Sequence, residues 1–395
     1  MRRFAANSGV ALVCALSLAS VAVSDRVILR DGSSQEIADP ELANASDATW
    51  PGWIALKRTA TVREDDLATS MLGLDDGQVI GGGFNVVQDS LWWRSRAIGA
   101  IQVDLERVAW IGPPSLAGQP APMRDHVSLI NGDHVDGFVN ALQADRGVEI
   151  ETGTGGASPT RTWYDLSKVA SIQLAPRPRP AAGWRLWLRD GSVIDMDAWK
   201  REGSRVSLQG LHLPGAAPRV MIAWDEVLGI QRNGSCITAL SSLPWKAIDA
   251  TDTPRLAPAQ VRVNPWVRPI DVRSFDLHGP GTFVARVPDG RWVLDLTLAV
   301  PPALAGRTGC TVQVLAGDRE LARVRLGPDT RPTPVHTMIE GGDLRLVISD
   351  SAHGALGAAV RVDDAMLVPI TGGEAAPTPA PTNAPASAAG STGPG

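Results

Sequence analysis

Leu188-Arg189-Asp190-Gly191 ends one apolar run and opens another. The same four-residue signature occurs three more times, as Leu29-Arg30-Asp31-Gly32, Leu74-Asp75-Asp76-Gly77 and Leu129-Ile130-Asn131-Gly132. Asp-Gly or Asn-Gly between apolar runs predicts a hairpin, because both turn positions of the tightest hairpin take positive φ, which these residues tolerate. The signatures start 45, 55 and 59 residues apart, a spacing that suits one small module each.

A second signature closes the last three of these units. Leu105-x-x-Val108-x-x-Ile111 matches Leu166-x-x-Val169-x-x-Ile172 and Trp224-x-x-Val227-x-x-Ile230. Alternating segments such as Val148-Glu149-Ile150 and Val206-Ser207-Leu208 lie between opener and closer and predict strands. Each unit is therefore expected to be an opening hairpin, one or two middle strands, and a closing strand or short turn. The proline runs from Pro113 to Pro122 and from Pro176 to Pro180 are stiff spacers between units.

These breaks divide the chain into β repeats over 25–115 (two units, the first irregular and without a clear closer), over 123–176 and over 183–233. Longer alternating strands fill 237–370, including Phe283 to Val287, Cys310 to Leu315 and Leu344 to Ile348. The expected class is all-β: three to four small modules of barrel or hairpin type, followed by a β-sandwich or jelly roll. The tail over 371–395 is rich in Ala, Pro and Thr. It has too little apolar surface to offset its ordering entropy, so disorder is expected there.

Arg2 and Arg3, the short apolar run Gly9 to Ala19 and the small residues after it read as a secretory signal peptide over 1–24, cleaved after Ala22 or Ser24. The alternative is a retained N-terminal anchor. No later apolar run is long enough to span a membrane as a helix. Losing Arg2 and Arg3 takes the formal net charge from −5 to −7, and no basic cluster remains to neutralise phosphates, which argues against nucleic acid as a partner. Cys236 and Cys310 can form one disulfide in an oxidising compartment, or stand as two small buried residues.

The segment from Ile237 to Leu367 resembles the carbohydrate-binding module associated with glycosyl hydrolase family 98 (NPCBM). Asp276-Leu277-His278-Gly279 with Phe283-Val284-Ala285-Arg286-Val287 matches its Asp-Leu, Gly and Phe-x-Ala-x-Val run. Thr311 to Leu315 with Gly317-Asp318 matches its valine-rich strand and turn, Leu344 to Asp350 its later strand, and Asp364-Ala365-Met366-Leu367 its close. The sequence departs from the family around Asn264 to Arg273 and at Val362-Asp363, where a His-containing segment and a Trp are usual. More loosely, the repeat openers resemble the first hairpin of Sm-like small barrels, of the kind that accompany this module in exported planctomycete-type proteins.

The resemblance implies a polysaccharide or glycan partner. A sugar site needs a planar ring beside polar groups, and Trp292, Trp266, His278, Asp289 and Asp350 are the candidates in this segment. The plain alternative is core packing, most of all for a chain with 13 Trp against one Tyr. Trp92-Trp93 is a further case, since neighbouring strand residues face opposite ways.

The six His show no metal-ligand spacing, and no nucleophile elbow, phosphate loop or dinucleotide fingerprint occurs. No enzyme activity and no cofactor are therefore expected, apart from a lone Ca²⁺ site at Asp350 or Asp363. The resulting expectation is an exported, non-catalytic glycan-binding protein of the periplasm, envelope or exterior. Its rival is a structural protein that binds envelope proteins through exposed sheet edges.

Overall fold

The structure is a computed structural model that describes residues 25–46, 53–58, 66–87, 90–117, 119, 122–143, 145–153, 159–175, 179–233, 237–248, 260–263, 272, 274–306, 309–328, 330–349 and 358–370. The expected leader over 1–24 and tail over 371–395, with Trp266, Asp350 and Cys236, lie outside the described residues. The described chain is all-β, with short 3-10 turns as its only helical elements.

The first unit holds β1 (Asp25–Leu29), β2 (Ser34–Ile37) and β3 (Trp53–Lys57). The second holds β4 (Met71–Leu74), β5 (Val79–Gly81), β6 (Gly83–Val87), β7 (Ser90–Ser95), β8 (Gly99–Gln102) and β9 (Val108–Gly112). The third holds β10 (Asp125–Leu129), β11 (His134–Gln143), β12 (Gly147–Thr152), β13 (Thr160–Tyr164) and β14 (Val169–Gln173). The fourth holds β15 (Trp184–Leu188), β16 (Val193–Glu202), β17 (Arg205–Leu211), β18 (Arg219–Ala223) and β19 (Val227–Arg232).

In every unit the closing strand returns to pair with the opening strand, and the register slips at the leucine of the turn signature: Leu29, Leu74, Leu129 and Leu188. The turn itself corrects the sequence expectation. Only the glycine has positive φ, at 82°, 83°, 91° and 86° for Gly32, Gly77, Gly132 and Gly191. Each glycine N–H donates to the carbonyl of its leucine, and each leucine N–H donates to the carbonyl of the residue after the glycine.

This is a turn of three loop residues ending in a left-handed glycine and a bulge, rather than a two-residue turn with both centres left-handed. The Asp or Asn before the glycine keeps negative φ because its carboxyl or amide oxygen accepts from the N–H two residues on, at 2.9–3.1 Å. The closer is a 3-10 turn running into a strand. Its last carbonyl (Arg107, Lys168, Glu226) accepts from the residue after the signature leucine (Asp75, Ile130, Arg189) at 2.8–2.9 Å.

The units join edge to edge. β9 pairs with β14 through Ile111 and Ile172, and β19 pairs with β3 through Ile230 and Leu56. The inward faces merge into one core that includes Val27, Leu72, Val127 and Leu186, the same position in each opener. Among the described residues the first unit shows none of the middle strands of the others, and it leans on the fourth. The Arg201 N–H donates to the Ala45 carbonyl at 2.8 Å, and Asp39 accepts from Arg201 at 3.0 and 3.1 Å and from Trp224 Nε1 at 2.8 Å. The guanidiniums of Arg58 and Arg201 stack on the Trp224 ring.

The remaining strands are β20 (Thr238–Ala239), β21 (Lys246–Ile248), β22 (Gln260–Val263), β23 (Phe275–His278), β24 (Gly281–Ala299), β25 (Cys310–Ala316), β26 (Arg319–Leu326), β27 (Thr333–Ile348) and β28 (Ala359–Pro369). The long pair β24 and β27 passes through two layers. Gly281 to Val287 and Gly342 to Ile348 join β21, β25 and β26. Arg291 to Leu298 and Thr333 to Glu340 join β28, β23 and β22. The register shift between Val287 and Arg291 marks the crossing. Phe275, Phe283, Leu294, Leu346 and Val360 fill the space between the layers.

Cys310 belongs to this core as a buried thiol whose Sγ donates to the Ala359 carbonyl at 3.7 Å, and Cys236, the other half of the disulfide option, lies outside the described residues. Burial pushes that thiol up from its ordinary pKa.

Candidate functional site

Where β24 and β27 cross between layers, Pro288, Asp289 and Gly290 bulge out of the strand. Trp292 Nε1 donates to the Pro288 carbonyl at 2.9 Å and fixes that bulge. On the facing strand a Cβ on Gly341 would lie 2.4 Å from the Pro288 carbonyl oxygen, so only glycine lets the two backbones approach. The tight turn between β25 and β26 closes the third side. Gly317 N–H donates to the Asp343 carbonyl at 2.8 Å, and Arg319 Nη2 donates to the Met338 carbonyl at 2.9 Å.

A cleft of about 500 Å³ opens between these parts, walled by Arg291, Arg319, Met338, Glu340, Gly342 and Asp343 among others. Met338 is 59 % exposed there, an apolar surface between charged groups. Arg291 and Glu340 are cross-strand partners, both exposed. Guanidiniums offer paired donors and carboxylates paired acceptors, a set suited to the vicinal hydroxyls of a polyol, with Met338 as a small apolar contact.

The predicted residues fall unevenly around this cleft. Asp289 stands exposed on the bulge, 3.9 Å from Arg286, which also reaches Asp343 at 3.4 Å, so it lies at the rim. Trp292 is 8 % exposed and packs in the sandwich core, so its ring offers no open face. The reason is strand parity: Trp292 shares its side with Leu294, Leu296 and Leu298. His278 is half-buried at the opposite end of the layer, beside Ala359, whereas Trp292 lies beside Pro369. That separation is roughly 30 Å along β28 at about 3.3 Å per residue.

Met338, Arg319 and Glu340 were not singled out from sequence. The available signal was an outward Met between outward His336 and Glu340 in an otherwise alternating strand.

In the second unit Trp93 is buried and donates to the Ile80 carbonyl at 3.0 Å, while Trp92 is half-buried near Gly215. Asp363 is half-buried next to Arg361, whose guanidinium grips Asp276 at 2.8 and 2.9 Å. Among the described residues, no group of three or more His, Cys, Asp or Glu is arranged to hold a metal ion. No helix among them is long and apolar enough to cross a membrane.

A second cleft, of about 380 Å³, lies between the second and fourth units. Met221, Ile222 and Ala223 of β18 line it opposite Arg96, Asp190 and Glu226. Only β17 pairs with β18 among the described strands, so one edge of β18 faces this cleft.

No family model matches the chain, and no curated protein matches it. Solved structures that align with it include a CBM51 module from Clostridium perfringens GH95 in complex with methyl-galactose. It has 15 % identity and a TM-score of 0.26, over 33 % of this chain and 99 % of that one. A second is the CBM51-2 and INT portion of Clostridium perfringens ZmpB with GlcNAc, at 12 % identity and a TM-score of 0.27. There the alignment spans 43 % of this chain but only 36 % of the other. A third is the tandem CBM22 pair of Paenibacillus barcinonensis Xyn10C, at 11 % identity and a TM-score of 0.22, over 83 % and 97 %. At such scores the likeness carries no weight for function, and the fold rests on the strand pairing above.

Proposed function

We propose that this is an exported, non-catalytic protein that recognises carbohydrate through the sandwich over 237–370, with the repeats over 25–233 as its scaffold. The observation that carries the reading is the cleft at the crossing, where an exposed Met338 sits among Arg291, Arg319, Glu340 and Asp343. The ordered resemblance of Ile237 to Leu367 to a carbohydrate-binding module supports it. The site is hydrogen-bonding in character and uses no stacked ring. In this reading Asp289 stands at its rim, and Trp292 braces the bulge from inside.

Glycan arrays and polysaccharide pull-downs on the full chain test this. Arg291→Ala and Glu340→Ala should each weaken binding by at least about tenfold, since a hydrogen bond to a charged group contributes roughly 1.5–3 kcal/mol. Binding that neither substitution alters, or no binding to any glycan, overturns the proposal. Export is checked separately, by recovering the chain outside the cytoplasm with an N-terminus just after Ala22 or Ser24.

The second reading, a protein-interaction scaffold, is favoured by the β18 edge in the cleft between units, because an open edge accepts an added strand. A partner captured by the wild-type chain and lost on Met221→Pro, with glycan arrays blank, selects it.

A further inference from the structure

The first repeat departs from its siblings in what lies outside it. The outward face of β1 and β3, carrying Ile28, Ile54 and Ala55, is buried against Val293, Met366, Val368 and Val272 of the sandwich. Around this apolar patch Arg26 pairs with Asp295 and Lys57 pairs with Asp364. Asp364 is a left-handed non-glycine residue at φ 54°, at the bulge where β28 slips against β24. The turn at Gly32 rests on Val293: a Cβ there would lie 2.6 Å from Val293 Cγ2 and 3.5 Å from Ile370 Cγ1.

These contacts continue into the cleft. Val293 is the direct cross-strand partner of Met338, Asp295 that of His336, and Arg291 that of Glu340. Directly opposed residues on one face have Cβ atoms about 5 Å apart. Clamp residues and cleft residues thus form one outward stripe over two strands, one row apart. The Ile370 N–H, beside the Gly32 turn, donates to the Arg291 carbonyl at 2.9 Å, a second link between clamp and cleft wall.

We infer that the first repeat is an intramolecular clamp that sets the position of the cleft wall formed by Arg291, Met338 and Glu340. It replaces solvent on the outer face of β24 and β28 with a packed surface, and it fixes the rows from which those three side chains project. The clamp acts through neighbours and touches no ligand, so it holds whatever the cleft takes.

Methionine ε-methyl NMR on the full chain tests this without a ligand. In Ile28→Ala the Met366 resonance should move, because it lies at the clamp, and the Met338 resonance should move with it. Met123, on the third unit, should stay in place. Amide exchange over 291–296 and 335–340 should lose about tenfold protection, as expected for a local stability loss near 1.4 kcal/mol. Ser128→Ala, at the matching position of the third repeat, should leave both resonances unchanged. Movement of Met366 with Met338 and the 335–340 amides unaltered overturns the inference. Should Ile28→Ala unfold the chain, Arg26→Gln replaces it, read by the same two resonances with the same criterion.

Discussion

The first and third repeats carry the same instruction at the same place and put it to different uses. Residues 25–32 and 125–132 align position for position: Val27 and Val127 face the shared core, and Gly32 and Gly132 take the same left-handed conformation. The outward positions differ. Arg26 and Ile28 meet the sandwich, whereas His126 pairs with Asp136 on an exposed face and Ser128 bonds His134. A Cβ on Gly132 would meet nothing within 4 Å, while one on Gly32 would collide with Val293. Local chemistry writes the turn. The residues of opposite parity decide what the turn packs against.

The largest break in this comparison should come from Ile28→Ala. Truncating a buried Ile costs about 2–5 kcal/mol, against less than about 0.5 kcal/mol for the surface change Ser128→Ala. Thermal melts of the two variants measure the gap, and equal shifts would mean that the first repeat is as uncovered as the third. Next come the glycines. Gly132→Ala should cost about 1 kcal/mol for the left-handed backbone alone. Gly32→Ala adds an overpacking cost of about 1–3 kcal/mol at Val293.

The smallest effect concerns the joint between the first and fourth repeats. The Arg201 hydrogen bonds, with help from Trp224, hold the Asp39 carboxyl below its ordinary pKa. A depressed carboxyl contributes stability that is present above its unfolded pKa and is lost as pH falls through the folded value. Acid melts below about pH 4 should therefore steepen for wild type relative to Asp39→Asn. The half-exposed position limits the difference to less than about 1 kcal/mol. No difference between the two acid curves would remove Asp39 from the joint.

Much of the fold was legible in residue order. The repeated Asp-Gly or Asn-Gly located all four turns, and the Leu-x-x-Val-x-x-Ile closers located three returning strands. The turn type was not legible, because Asp or Asn before Gly suits both a two-residue turn and a left-handed glycine bulge; the side-chain bond to the following N–H decided between them. The closer of the first repeat, Trp53 to Lys57, escaped notice because its partners are β1 and β19, the latter pairing Gly229 with Lys57 far along the chain.

Trp292 became a candidate through its neighbouring turn, and its parity with Leu294 gives it the core-packing alternative instead. The cleft could not be read at all, since Arg291, Arg319 and Met338 come from three strands that meet only when β24 and β27 change layers. One outward clue was available: Ile28 and Trp187 are apolar at a position where Ser128 is polar, and both of the apolar pair are covered.

The docking of the first repeat on the sandwich is tested most directly by methyl–methyl NOEs from Ile28 in the full-length chain. Cross-peaks from the Ile28 δ1-methyl to methyls of Val293, Met366 or Val368 are predicted. An Ile28 methyl with cross-peaks to none of the three would contradict the docked arrangement and the clamp built on it.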